Sequence, residues 1–152
     1  GREAGLIAYW PMDEGRGLLA EDKSRFRHAE MHANWEINPK GSSASFNGVN
    51  QYAILTNAGS LSIPDESDLS IEFWFKTQGG SQMTFLSNGS ARFINFDHNV
   101  FGWSIEMDAN NVIHVKNDSV DFIAVNTDYA DNTWHHFALV LNRLTNTTAY
   151  ID

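Results

Sequence analysis

The 152-residue chain has no cysteine, few basic residues and no long hydrophobic run, and each absence excludes a class of protein. Without cysteine there is no disulfide framework, no thiolate metal site and no cysteine nucleophile. Lys and Arg number 10 against 19 Asp and Glu, and the formal net charge of −9 disfavours binding to nucleic acid or to an anionic membrane surface. No apolar run approaches the roughly 20 residues of a transmembrane helix.

The residues that are present favour a folded, all-β chain. Hydrophobic residues make up 42% of the sequence and charged residues 19%, which is enough apolar surface for a core. Aromatic residues reach 12% and suit pleated strands, while the frequent Asn, Asp and Gly residues suit the turns between strands. The length fits one domain, and we predict a single domain over residues 1–152.

Alternation of apolar and polar residues is clearest in residues 69–76. Leu69 and every second residue after it are apolar and share one face of the predicted strand, while the other face is half polar. Large aromatics in strands are more often core than surface residues. We therefore expect core packing for the strand tryptophans Trp10, Trp74, Trp103 and Trp134.

Short apolar segments separated by turn residues predict the remaining strands. Residues 6–10 are the first predicted strand and residues 12–24 a loop, while residues 26–35 fit either a helical turn or a strand. Residues 44–55 fit two strands around an Asn-Gly turn. Further strands are predicted at residues 83–86, 103–107, 112–115, 122–125, 134–141 and 147–151. This spacing is typical of an antiparallel sandwich or barrel.

Several segments resemble, in the same order along the chain, the laminin-G-like jelly-roll domains of the concanavalin A-like lectin/glucanase superfamily. The first is LIAYWPMDEG at residues 6–15, followed by DKS at residues 22–24. The others are FNGVNQY at 46–52, LSIEFWFK at 69–76, TWHHFALV at 133–140 and TAYID at 148–152. The resemblance implies an antiparallel two-sheet jelly-roll sandwich.

The resemblance also implies a cellular setting and an incomplete fold. Similar domains are exported modules of surface proteins, so we expect an extracellular or cell-surface location. The family continues with further strands beyond the position of Asp152, so residues 1–152 are expected to lack the C-terminal strands of the sandwich. The predicted strand at residues 6–10 would then be an open edge able to recruit a second copy of the chain.

Three functions fit this fold. The first is a non-catalytic carbohydrate-binding, lectin-like module with a glycan or polysaccharide ligand. The second is a protein-interaction or structural module, and the third is a glycosidase or polysaccharide lyase. Glu66, Asp68 and Glu72 come near to a glycosidase carboxylate cluster, but their spacing is one residue too long, and we predict no enzymatic activity.

Candidate sugar contacts are aromatic side chains beside polar ones in predicted loops. Aromatic rings stack on the apolar faces of sugars, while Asn, Asp and Glu side chains bond to the hydroxyl groups. The loop aromatics are the strongest candidates. The predicted ligand-binding residues are Trp35, Phe96, Asp97, His98, Asn99 and Tyr129.

Calcium is the cofactor that the resemblance suggests. The structural ion of the superfamily joins the N-terminal region, a Gly-containing loop and the last strand, which makes Asp13, Asn47 and Gly48 the matching positions here. A metal site shared by His135 and His136 is excluded, because successive side chains on a strand point to opposite faces.

Overall fold

The computed structural model describes residues 4–24, 27–55, 68–88, 103–117, 120–142 and 146–152. These ranges contain strands and turns but no helix, and every strand pairing in them is antiparallel. The predicted all-β, antiparallel fold is confirmed. The strands are β1 (Leu19–Ala20), β2 (Ala29–His32), β3 (Asn34–Asn38), β4 (Gly41–Ser45), β5 (Tyr52–Ile54), β6 (Leu69–Phe75), β7 (Met83–Asn88), β8 (Trp103–Met107), β9 (Ile113–Asn117), β10 (Val120–Val125), β11 (His135–Leu141) and β12 (Thr147–Ile151).

The chain divides into two compact units, Gly1–Ser62 and Ile63–Asp152. In the first unit β1, β2 and β5 form a three-stranded sheet, and β3 pairs with β4. Its core contains Ala20, Ala29 and Met31, against which Trp10 and Trp35 pack. The single domain predicted over residues 1–152 stays a prediction. In the described ranges no helix could span a membrane.

The second unit contains two antiparallel sheets, with the strand orders β10-β9-β8-β7 and β12-β11-β6. Side chains from both sheets form one apolar core, so the sheets pack face to face as a sandwich. Burying one such side chain completely stabilises the fold by about 1.5–3 kcal/mol. The buried members are Phe75, Ile105, Met107, Ile113, Val115, Phe137 and Leu139.

The alternation in residues 69–76 sets the inward face of β6. Phe73 lies opposite Phe137 of β11 in the register, and their rings stack with centroids 5.1 Å apart. Ile71 likewise lies opposite Leu139. The predicted core face of this strand is therefore confirmed, and its other face points away from the core.

The strands predicted from residue 83 onward are confirmed as β7 to β12, with shifted ends in several cases. β8 and β9 pair with each other as a hairpin. Its turn is held by the Asp108 carboxylate, whose Oδ1 accepts hydrogen bonds from the backbone N–H groups of Asn110 and Val112, each at 2.9 Å. An Asp at this turn position accepts hydrogen bonds from backbone N–H groups that would otherwise have no partner in the turn.

Residues 6–10 do not form the predicted strand, and β1 lies instead within the predicted loop of residues 12–24. Side chains bond to several backbone groups of this segment, and the Tyr9 carbonyl accepts a hydrogen bond from the Lys23 N–H at 2.8 Å. The Tyr9 N–H donates to Asp22 Oδ1 at 3.0 Å, and the Ile7 carbonyl accepts from Arg27 Nη1 at 2.8 Å. Because polar side chains supply these partners, the segment needs no neighbouring strand. The open strand edge expected at these residues is therefore not there.

The two ambiguous segments of the first unit are strands. Residues 26–35 contain β2 and the start of β3 rather than a helical turn. Residues 44–55 contain the end of β4 and all of β5, but these do not pair with each other, since β4 pairs with β3 and β5 with β2. The Asn-Gly segment between them therefore connects two different sheets.

Candidate ligand-binding face

The outward side of the β12-β11-β6 sheet carries three exposed aromatic side chains. Trp74 of β6 is 65% exposed, Tyr150 of β12 is 57% exposed, and Trp134, directly before β11, is 46% exposed. Burying such rings against a core would be favourable, so their shared exposure makes this face the candidate for contact with a ligand. We call this surface the aromatic face, formed by Glu72, Trp74, Trp134, His136, Ala138 and Tyr150.

The strand register arranges the aromatic face in rows. His136 lies opposite Trp74, and their rings approach with centroids 4.9 Å apart at 48°. In the next outward row Ala138 lies between Glu72 of β6 and Tyr150 of β12. Trp134 precedes Ala138 by four residues, which corresponds to a distance of about 14 Å at the rise of a strand. The face is therefore long enough for an extended ligand.

Charged groups stand at both ends of the aromatic face. Lys76 Nζ lies 5.8 Å from the centroid of the Trp134 ring, within the range of a cation–π contact. At the other end, Glu72 Oε2 is 3.7 Å from His136 Nε2, beyond hydrogen-bond distance. The Glu72 side chain is 77% exposed, so its carboxylate can accept hydrogen bonds from a ligand.

Below the aromatic face, an ion network centred on the largely buried His135 fixes the start of β11. His135 Nδ1 lies 2.6 Å from Asp152 Oδ2, and His135 Nε2 lies 3.0 Å from Asp131 Oδ1. The imidazole can donate to both carboxylates only when both ring nitrogens are protonated. The hydrogen bonds to Asp152 and Asp131 accordingly raise the pKa of His135.

The two carboxylates respond in the opposite direction. Hydrogen bonds from the Thr133 hydroxyl and from His135 lower the pKa of Asp131 to about 2. The hydrogen bond from His135 and that from the His136 N–H also lower the pKa of Asp152. The network ties the segment before β11 to the residue after β12, and it sets the position of Trp134 between two fixed neighbours.

Comparison with known protein families places the chain. A laminin G family model of the concanavalin A-like lectin/glucanases superfamily matches residues 47–152. The chain belongs to this superfamily. No curated protein and no solved structure gives a significant match to this laminin-G-like chain. The resemblance noted in the sequence is thereby confirmed, and the all-β sandwich of the second unit agrees with it.

The aromatic face of this laminin-G-like domain corrects one sequence prediction. Trp74 and Trp134 were expected to pack in the core, but both are exposed. Trp10 and Trp103 do pack against the cores of their units, as expected. The signal for Trp74 was present in the alternation, which assigns it to the half-polar face with Glu72; the general preference of tryptophan for burial pointed the other way.

Among the described residues, the glycan contacts predicted from the sequence, Trp35 and Tyr129, are not part of the aromatic face. Phe96, Asp97, His98 and Asn99 lie outside the described residues. Trp35 is in β3 rather than in a loop, packs against the core of the first unit, and donates from Nε1 to the Gly17 carbonyl at 3.0 Å.

Tyr129 is half-buried. It packs against the core of the second unit with its ring at 70° to the ring of His135 and a centroid distance of 5.0 Å. The ring thus packs against the imidazole of the ion network. Its predicted role in glycan binding stays a prediction.

The positions suggested for calcium lie in the first unit. Asp13 is exposed, and Gly48 adopts a left-handed conformation with φ of 68°. Asn47 Oδ1 accepts hydrogen bonds from the N–H groups of Val49, Asn50 and Gln51 at 3.0, 3.1 and 3.2 Å. Asn47 therefore organises the loop through its own side chain, as Asx residues commonly do. In the described ranges no three His, Asp or Glu side chains gather closely enough to hold a metal ion.

The remaining titratable candidates separate as the strand geometry requires. His135 points inward and is buried, whereas His136 points outward onto the aromatic face, which confirms that the pair cannot share an ion. Of the near-glycosidase cluster, Glu66 lies outside the described residues, Asp68 is exposed before β6, and Glu72 belongs to the aromatic face.

Proposed function

We propose that this laminin-G-like chain is a non-catalytic carbohydrate-binding module of an exported surface protein, and that the aromatic face holds the glycan. Three exposed aromatic rings on one sheet face support this assignment more than any other observation. Rings of this kind offer stacking surfaces for the C–H faces of sugars, and the Glu72 carboxylate and His136 imidazole beside them offer bonds to hydroxyl groups.

The family context is consistent with this assignment. Laminin G-like domains mediate ligand and protein interactions, are generally non-catalytic and are typically extracellular. The wide spacing of the rings on strands favours an extended, flat ligand over a small compact one. A protein ligand on the same face is the competing outcome, and the experiment below separates the two.

A glycan array followed by calorimetry tests the proposal. The chain should bind at least one oligosaccharide, and Trp74→Ala should weaken binding by about 1 kcal/mol or more, which is roughly fivefold. Tyr9→Ala is the matched control, because Tyr9 is an aromatic of similar exposure in the first unit. It should leave the affinity unchanged.

Two results would count against the proposal. Binding that is insensitive to Trp74→Ala and Trp134→Ala would remove the aromatic face as the glycan site. An array without any bound glycan, together with a purified protein ligand whose affinity falls in Trp74→Ala, would replace the carbohydrate with a protein partner.

A further inference from the structure

Ala138 is the smallest side chain of the aromatic face, and the strand register implies a shallow depression with its methyl group as the floor. The register places Tyr150 on one side of this small residue and Glu72 on the other. Along β11, His136 and Val140 are the next outward residues before and after it. Since neighbouring strands are about 4.8 Å apart, the Tyr150 and Glu72 backbones are separated by about 10 Å. A methyl group between four larger side chains leaves room for one ligand group above it.

The walls of this depression combine an exposed carboxylate with aromatic rings. A carboxylate accepts hydrogen bonds and carries a negative charge, and the face of an aromatic ring attracts cations. Tyr150 is 57% exposed beside the floor, and Trp74 follows Glu72 by two residues on the same side of β6. This combination of groups recognises a protonated amine better than it recognises a neutral or an anionic group.

The surrounding charge acts in the same direction. The sequence carries a formal net charge of −9, which attracts cations and repels anions at a distance. Lys76 lies over Trp134 at the opposite end of the aromatic face. His136 Nε2 lies 3.7 Å from Glu72 Oε2.

From this complementarity we propose that the depression over Ala138 selects a glycan unit with a free, protonated amino group. The ligand class is an amino-sugar oligosaccharide that is not N-acetylated. The amine lies against the Glu72 carboxylate while the sugar ring lies beside Tyr150 and Trp74. This inference rests on the proposed carbohydrate-binding function and names the class of glycan that it serves.

The test compares three oligosaccharides of equal length by calorimetry near pH 6 at low salt: a glucosamine oligomer with free amines, its fully N-acetylated counterpart, and a uronic acid oligomer. The wild-type chain should bind the free-amine oligomer about fivefold more tightly than the acetylated one, which is the gain expected from an exposed ion pair of about 1 kcal/mol. It should bind the uronic acid oligomer more weakly than either. The preference for the amine should shrink as salt is added.

Two variants separate the charge from the stacking. Glu72→Gln keeps the shape of the side chain and should abolish the preference for the free amine, so that the free-amine oligomer loses more affinity than the acetylated one. Trp74→Ala should weaken both oligomers by the same factor. Circular dichroism of each variant verifies that the sheet is intact.

The outcomes distinguish this inference from the proposed function. Equal affinity for the free-amine and acetylated oligomers, unaffected by Glu72→Gln, overturns the amine selection and leaves carbohydrate binding in place. Absence of binding to all three oligomers and to a wider array overturns both. Tight binding of a lysine-rich peptide in place of the amino sugar overturns the glycan assignment of the depression while retaining its charge preference.

Discussion

The ion network of His135, Asp131 and Asp152 predicts an unusual dependence of stability on pH. The pKa of His135 is raised on folding, so its contribution is complete below the unfolded value of about 6.5 and is lost as the pH rises through the folded value. The pKa values of Asp131 and Asp152 are lowered, so their contributions are present above about pH 4 and are lost on acidification. The network should stabilise the second unit most between about pH 4 and pH 6.5.

The size of the effect follows from the exposure of the partners. The His135 side chain is 11% exposed, whereas those of Asp131 and Asp152 are 56% and 50% exposed and regain water when the imidazole is removed. Ion pairs with solvent-exposed partners contribute about 0.2–1 kcal/mol each, because water screens the charges. His135→Gln should therefore lower the free energy of unfolding by about 1 kcal/mol at pH 5.5.

Thermal or urea unfolding at several pH values between 5 and 9 measures this prediction. The wild-type chain should lose stability toward pH 9, and the His135→Gln variant should be less stable at pH 5.5 but nearly independent of pH above it. His32→Gln, which alters an exposed histidine of the first unit, is the control. If wild type and His135→Gln lost stability in parallel over this pH range, the network would have no part in the pH response.

Three further substitutions should destabilise the chain in urea unfolding monitored by circular dichroism, with the exposed Val49→Ala as a control within about 0.5 kcal/mol of wild type. Phe137→Ala empties the centre of the sandwich core and should cost about 3–5 kcal/mol. Gly79→Ala should cost about 2–4 kcal/mol, because Gly79 has φ of +63° and the added methyl group would overlap neighbouring side-chain atoms. Asp22→Asn should cost about 2 kcal/mol. The buried Asp22 carboxylate accepts backbone hydrogen bonds, and the substitution puts an N–H donor group in the place of one carboxylate oxygen. A loss of stability below about 0.5 kcal/mol in any of the three variants would contradict the argument for that variant.

The strands of the second unit could be predicted from the sequence because period-two alternation and turn residues are local signals. The inward face of residues 69–76 and the hairpin closed by Asp108 both follow from residues adjacent in sequence. The family resemblance extended this to the architecture, and the family comparison agrees with it.

The candidate site could not be predicted in the same way. Trp74 and Tyr150 lie on the same surface only because β6 and β12 flank β11. That strand order is set by pairings between residues far apart in the sequence. The strand predicted at residues 6–10 was wrong for a related reason. Their apolar character is typical of a strand, but the Asp22 carboxylate, thirteen residues beyond Tyr9, takes the N–H that a ladder would have used.

The placement of the aromatic face on paired strands has a consequence for the thermodynamics of binding. Backbone hydrogen bonds to β11 hold the strands that carry Trp74 and Tyr150, and the ring of Trp74 rests against that of His136. A ligand that binds to these rings restricts the rotation of few further bonds in the protein, so the protein loses little conformational entropy on association. The heat of binding should then report mainly on the ligand and its displaced water, and stiffening the ligand should raise the affinity more than any added contact on the sheet.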